Sequence, residues 1–251
     1  MSPGSSQYAL SPLEEQRFGA RTVRVSELTA AEIPALLDFC RANDVQLVIA
    51  RCATEDLATA QAFEAAGGRL MDTLVYYTLD LKRKSAAAPD ENARTLRLAK
   101  PAEAEPLAEI AAESFKGYRG HYHADPRLDP AACDEAYTSW VRRSVLDRTV
   151  ADAVYVCEDE GRLAAFATMR RNSAEEGEGV LFGVAPWAQG RGIYADLIRT
   201  GIAWCRENGH ARMVVSTQVT NVAVQKVWVR QGFEPAHSSY TFHLWNLVGN
   251  S

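Results

Sequence analysis

The sequence predicts an α/β protein in two parts, and three observations carry that prediction. Short apolar runs alternate with stretches whose apolar residues recur every three to four positions, the order expected of strands and helices packed in layers. Residues 180–208 join an apolar run, a loop holding Gly190 and Gly192, and an amphipathic helix. Part of residues 20–82 also recurs, in altered form, near the end of the chain.

Residues 1–20 are polar, carry Ser and Pro and show little periodicity, which predicts an irregular arm. Thr22-Val23-Arg24-Val25 alternates as a strand, and residues 30–43 place Ile33, Leu36, Leu37 and Cys40 on one helical face. A strand is expected over 45–50, a helix over 55–66 stopped by Gly67-Gly68, and an antiparallel strand or hairpin over 70–81. The stretch KRKSAAAPDEN, 82–92, is charged, rich in small residues and holds a proline, the profile of a linker. The expected organisation is therefore a domain over 1–82, a linker over 83–93 and a second domain over 94–251.

That second domain opens with a short strand, 96–99, and a helix that Pro101 starts, with Leu107, Ile110, Ala111 and Phe115 inward. Asp129-Pro130 begins another helix. Strands over 153–158 and 162–170 flank a turn at Glu160-Gly161, and residues 172–177 turn into the central strand, 180–184. After the glycine loop, Ile193, Leu197, Ile198, Gly201, Ile202, Trp204 and Cys205 form one face of a helix that Asn208-Gly209 ends. A strand over 212–218 follows, then a helix capped by Asn221 and closed by Gly232.

The repeat emerges on aligning the two ends. Leu47-Val48-Ile49-Ala50 parallels Met213-Val214-Val215-Ser216, QAFEAAGG from Gln61 parallels KVWVRQGF from Lys226, and each is followed by an aromatic-rich run, VYYTLDL or SYTFHLW. The N-terminal part is thus expected to be a partial copy of the C-terminal part that lacks the glycine loop. The alternative, that any strand–helix–glycine–strand unit looks this way, stays open.

Composition bounds the function. The 251 residues hold 27 basic and 32 acidic side chains for a net charge of −5, which argues against nucleic acid or an anionic membrane as partner and for a small substrate. No apolar segment approaches the length of a membrane span and the first residues lack a secretion signal, so the cytoplasm is the default compartment. Five scattered cysteines, Cys40, Cys52, Cys133, Cys157 and Cys205, predict neither disulfides nor a metal site.

The glycine loop carries the chemistry. Strand end, Gln189-Gly190-Arg191-Gly192 and helix start together present unpaired N–H groups at the positive end of a helix dipole, an anion cradle suited to a phosphate ester. A nucleotide P-loop would need Lys and Ser or Thr after its last glycine, where Ile193-Tyr194 stand. A dinucleotide fold would need the strand to reach the first glycine and an acidic residue at the end of the next strand. Pro186 breaks the first and 212–218 lacks the second. A helix start whose glycines serve only tight packing remains the plain alternative.

This loop resembles the [QR]-x-x-G-x-[GA] motif of the GCN5-related N-acetyltransferase (GNAT) family, matched at Gln189 and Gly192 and departing at Tyr194. Asn221, Val227, Gly232 and Phe233 match the family's later N-x-x-A-x-x-[LV]-Y-x-x-x-G-F region, with Val224 where the family has alanine and Trp228 where it has tyrosine. The resemblance covers 94–245 well and 20–82 loosely. It implies a mixed central sheet flanked by helices with a degenerate N-terminal half-domain, and acetyl-CoA, or another short acyl-CoA, as cofactor. It further implies that Gln189, Gly190, Arg191, Gly192, Ile193 and Tyr194 hold the pyrophosphate by their backbone, that backbone groups at Phe182 and Val184 pair with the pantetheine arm, and that Asn221 approaches the cofactor.

Among family members, those acetylating the amino group of nucleotide-linked deoxysugars are the most similar. They share a linked degenerate N-terminal domain, an aromatic and basic acceptor loop leading to Tyr137 and Trp140, and a turn like that of Thr217, Gln218 and Asn221. The expected acceptor is a small primary amine on such a sugar, met by Tyr118, Arg119, Tyr122, Arg127, Thr217 and Gln218. An aminoglycoside, a peptide N-terminus and a catalytically silent acyl-CoA-binding module stand as alternatives, and a homodimer is left open. For proton transfer, His123 is favoured over His121 as the base, with Glu178 next; an indole at 228 is no acid, so no dedicated acid is expected, and Tyr194 and Tyr240 stand as the alternative groups at the sulfur.

Overall fold

The computed structural model describes residues 8–83, 94 and 96–245. In chain order these form β1 (Ala9–Leu10), α1 (Pro12–Phe18), β2 (Thr22–Val25), α2 (Ile33–Ala42), β3 (Leu47–Ala53), α3 (Leu57–Ala65), β4 (Arg69–Asp80), β5 (Arg97–Leu98), α4 (Ala104–Ser114), α5 (Pro130–Leu146), β6 (Ala153–Asp159), β7 (Arg162–Arg171), β8 (Glu176–Val184), α6 (Ile193–Glu207), β9 (Arg212–Gln218), α7 (Val222–Arg230) and β10 (Glu234–Trp245). Most expected elements are present, with ends shifted by a few residues. The N-terminal arm is more ordered than its composition suggested. Pro12 presets the first turn of α1, and Gly19, at φ 65°, ends the helix with its N–H on the Glu15 carbonyl. Residues 70–80 of the run expected over 70–81 belong to one strand, β4, and not to a hairpin.

Contacts group the chain into two units that interleave along the sequence: residues up to Val75, Arg119–Cys133 and those from His237 form the first, and Tyr76–Tyr118 with Asp134–Ala236 the second. The linker expected over 83–93 lies, apart from Arg83, outside the described residues.

In the first unit β2 runs parallel to β3, Thr22 opposite Leu47 through Val25 opposite Ala50, and β10 runs antiparallel to β3, Ser239 opposite Ala53 through Trp245 opposite Leu47. Val23, Leu36, Val48, Phe63 and Phe242 fill the core on one side of this sheet, the two phenyl rings stacked at 5.5 Å. Buried apolar area of this kind is what holds such a layer together.

In the second unit the strand order is β4-β9-β8-β7-β6-β5, with β8 and β9 parallel and β5 through β8 antiparallel. Leu107, Ile110, Tyr137, Val141, Val154 and Phe166 form one cluster, and Cys157, Ala165, Ile193 and Leu197 another. Close approach of α6 to the sheet depends on glycine: a Cβ on Gly201 would lie 2.8 Å from Met213 Cε, and one on Gly177 2.5 Å from Cys205 Sγ.

The repeat is present in the topology. Both β2-α2-β3-α3-β4 and β8-α6-β9-α7-β10 are strand–helix–strand–helix–strand runs whose first two strands are parallel. Their second helices end alike. Gly67 (φ 89°) donates to Glu64 and Gly68 to Phe63, as Gly232 (φ 92°) donates to Val229 and Phe233 to Trp228. The closing strands are exchanged: β10, which follows α7, pairs with β3, and β4, which follows α3, is bonded to β9.

Candidate functional site

In the second unit, β8 and β9 are paired only from Glu176 opposite Arg212 to Gly179 opposite Val215, yet β8 runs on to Val184 and β9 to Gln218. The two strands splay after Gly179. The cause lies on the other side of β8, where Thr168 faces Leu181 but Met169 faces Gly179, so Val180 is an extra residue that bulges the strand. Thr168 Oγ1 accepts the Leu181 N–H at 3.0 Å and so satisfies the amide next to the bulge.

Beyond the bulge the phase of the β7–β8 ladder is set by the Ala185 N–H donating to Ala164 O at 2.8 Å, which makes Ala165 and Val184 a non-hydrogen-bonded pair. The backbone groups of Val184, and those of Phe182 one period earlier, therefore point away from β7, to the side that β9 has left. Ser114 Oγ donates to Val184 O at 3.0 Å and Gln189 Nε2 donates to the same oxygen at 3.2 Å. The Phe182 amide and carbonyl and the Val184 N–H remain as an open strand edge. Gln189 thus acts through its side chain, tying the loop to the strand end.

The loop itself takes the geometry that its glycines permit. Gly190 and Gly192 have φ of 76° and 81°, and α6 starts directly after. Among the described residues no acceptor is present for the N–H groups of Gly190, Arg191 and Gly192, and the helix geometry leaves those of Ile193 and Tyr194 without one. The Arg191 guanidinium pairs with Asp159 at 2.9 Å and Glu160 at 2.7 Å, so its charge is already partly matched. Arg94 donates to the Arg191 carbonyl at 3.0 Å and to buried Asp196 at 3.3 Å, bracing the loop from below. A cradle of five amides beside an open strand edge fits a phosphate ester that carries an amide-containing arm.

The remaining candidates fall into two groups. Glu178, on β8 just before the bulge, pairs with Arg170 at 2.5 Å. Thr217 and Gln218 end the other arm of the splay, and Asn221 donates from Nδ2 to Thr217 Oγ1 at 3.0 Å. Tyr118 packs edge-on against Phe115 and Tyr137. Trp228 is buried against Tyr77, and its Nε1–H donates to Tyr194 Oη at 3.2 Å.

Arg119, His121, Tyr122, His123, Arg127 and Tyr240 belong to the first unit. Tyr240 lies opposite Cys52 and packs against Phe242. Buried Tyr122 donates to Glu14 Oε1 at 2.5 Å, and the Arg127 guanidinium stands 5.6 Å over the Trp245 ring; Arg119 is exposed and His123 half-buried. His121 is buried, with Nδ1 3.0 Å from His243 Nε2, and the His243 Nδ1–H donates to Asp125 Oδ2 at 2.8 Å. Burial, then the charges of His243, Arg51, Arg24 and His123, push His121 well below the 6.5 expected of a loop histidine. Burial works upward on Asp125, but bonds from His243, Trp245 and the Arg127 amide outweigh it and hold the carboxyl down to about 2. This Asp–His–His chain was missed in the sequence because Asp125 and His243 are far apart in it; the signal was a histidine inside the apolar alternation of SYTFHLW.

No helix among the described residues is long and apolar enough to cross a membrane, and no group of three or more His, Cys, Asp or Glu side chains there could hold a metal.

A splayed parallel pair, a bulged strand and an amide cradle at a helix start define an acetyltransferase-type cofactor fold. The family model described as "Acetyltransferase (GNAT) family" matches residues 107–233, and the chain belongs to that family. The chain is 25% identical over 147 residues, 58% of its length and 48% of the relative's, to the spore coat polysaccharide biosynthesis protein SpsD of Bacillus subtilis, so it spans about half of that protein. Among solved structures it resembles a GCN5-related N-acetyltransferase from Sphaerobacter thermophilus (TM-score 0.64, 14% identity, 97% of this chain and 77% of that one). It also resembles a tandem GNAT protein of the clavulanic acid biosynthesis pathway (TM-score 0.65, 17% identity, 93% and 77%). At these identities the structural likeness speaks for the fold, including a fold of two GNAT-like halves.

Proposed function

We propose that the protein is an acyl-CoA-dependent N-acetyltransferase that moves an acetyl group from acetyl-CoA to a primary amine on a nucleotide-linked amino sugar. The observation that carries this reading is the pairing of the amide cradle at Gly190 to Tyr194 with the open edge of β8 at Phe182 and Val184. The cofactor would supply an activated acyl group as a thioester. The chain's own part is to bind a diphosphate with main-chain N–H groups, to hold the arm along β8 as an added strand would be held, and to keep the Val184 N–H available for a developing oxyanion. An ammonium acceptor must first lose a proton, and Glu178 Oε1 or Oε2, on the same strand just before the bulge, is the proposed base.

The sugar acceptor is supported by the likeness to SpsD, a polysaccharide biosynthesis protein, and by Tyr137, Trp140, Thr217 and Asn221 in the pattern of sugar-acting family members. Trp228 favours a second reading, a silent acyl-CoA-binding module, because it removes the phenol the family usually has there. Titration calorimetry with acetyl-CoA, followed by a thiol-release assay over amino sugar nucleotides, aminoglycosides and peptides, tests both. Binding with thiol release on a sugar nucleotide supports the proposal, binding without release on any amine supports the silent module, and no binding at millimolar acetyl-CoA refutes both.

A further inference from the structure

We infer that the Tyr194 hydroxyl is the hydrogen-bond donor to the sulfur that departs during acyl transfer, with Trp228 the positioning residue that fixes it; this rests on the acyl-CoA reading above. Tyr194 is the second residue of α6, so its amide belongs to the cradle while its ring goes elsewhere. The ring lies 5.7 Å from that of Phe182 on the β8 arm, and its oxygen is bonded to Trp228 on α7, the helix that follows the β9 arm. The phenol therefore stands between the β8 arm and α7. Trp228 is itself immobilised, 1% exposed and 5.5 Å from Tyr77.

The oxygen already accepts the indole N–H, and no acceptor for its own proton is present among the described residues. An O–H without an acceptor, on a half-buried residue of the helix whose first amides form the phosphate cradle, is a donor that a ligand atom can complete. An N–H bonded to the oxygen also polarises the O–H and strengthens it as a donor.

The step balances without an acid. The neutral amine nitrogen forms the C–N bond, the C–S bond breaks, and sulfur takes the electron pair as thiolate; the ammonium proton has gone to the base and the thiolate later takes a proton from water. Burial holds the Tyr194 phenol above its usual range, whereas a thiol titrates near about 8.5, so the proton stays on oxygen and a hydrogen bond, not a transfer, stabilises the sulfur.

Bound CoA tests this without turnover, because thiolate absorbs in the ultraviolet. In the wild-type complex the thiol should titrate about one unit lower than in the Tyr194→Phe complex, with Trp228→Phe between them, a shift typical of one charge-assisted hydrogen bond. Tyr194→Phe should lower kcat about tenfold with little change in KM. If the thiol titrates alike in wild type and Tyr194→Phe while CoA binds both, the inference falls and the acyl-CoA reading stands; a rise in KM alone also overturns it, by placing the bond on the arm. If CoA does not bind the wild type, the underlying reading falls with it.

Discussion

The two strand–helix–strand–helix–strand runs share an order of elements and a helix stop, but they differ at the first strand. In the first unit β2 ends at Val25, the last residue paired with β3, whereas in the second β8 continues five residues past its last partner on β9. The loop after β2 has Glu27 at φ 60° and no glycine, while the loop after β8 has Gly190 and Gly192. The first unit instead buries side-chain polarity, in Glu14, His121, Asp125 and His243, and matches it internally. A candidate ligand site of this type is thus made by leaving strand backbone unpaired, whereas among the described residues β2 is paired with β3 to its last residue.

The largest expected effect on that comparison comes from the equivalent aromatics of α3 and α7. Phe63→Ala should destabilise the protein by about 3–5 kcal/mol in chemical denaturation, since the ring is fully buried. Because it lies in the first unit, it should leave acetyl-CoA affinity within about twofold in conditions where the protein is folded. A large affinity loss would mean that the first unit shares in cofactor binding.

Glu178→Gln should lower kcat/KM about 10²-fold, the usual worth of one proton-transfer group. His121→Asn and His123→Asn should leave kcat/KM within about twofold where the protein is folded, and the opposite pattern in steady-state kinetics would move the base to the first unit. Gly192→Val places a β-branched residue at φ 81°, where no neighbour would clash with its Cβ, so the cost is backbone strain of about 1–3 kcal/mol. Calorimetry should then show acetyl-CoA binding weakened by about tenfold or more as the cradle relaxes.

The smallest effect is electrostatic. His121 is held neutral in the native protein, so the unfolded chain binds more protons below about pH 6.5, and the stability it contributes is present above that pH and lost as pH falls. Asp125, held at about 2, contributes stability that is present above about pH 4 and lost on further acidification, about 2 kcal/mol in all. Thermal unfolding followed from pH 7 to pH 3 should therefore show a falling midpoint. Asp125→Asn should flatten its lower part and His121→Asn its upper part; parallel curves for all three proteins would refute the assignment.

Much of this was legible in the sequence where one local signal sufficed. Gly190 and Gly192 marked the loop, Asn221 and Gly232 bounded α7, and apolar runs located β2 and β9 to the residue. Features that depend on pairing were not. The exchange of β4 and β10 is a choice of partner that neither strand's composition reveals, and it is why the units interleave. The bulge at Val180 left only a trace in the glycine-rich approach at Gly177, Gly179 and Gly183. Helix α1 was hidden because Ser and Pro outweighed the two capping signals, Pro12 and Gly19.

Amide-resolved NMR on addition of acetyl-CoA tests the central claim most directly. The account predicts that the N–H resonances of Phe182, Val184 and Gly190 to Tyr194 shift and become protected from exchange, while those of residues 26–32, the equivalent loop of the first unit, do not change. Saturable binding that perturbs residues 26–32 and leaves the cradle and the β8 edge unaffected would contradict it.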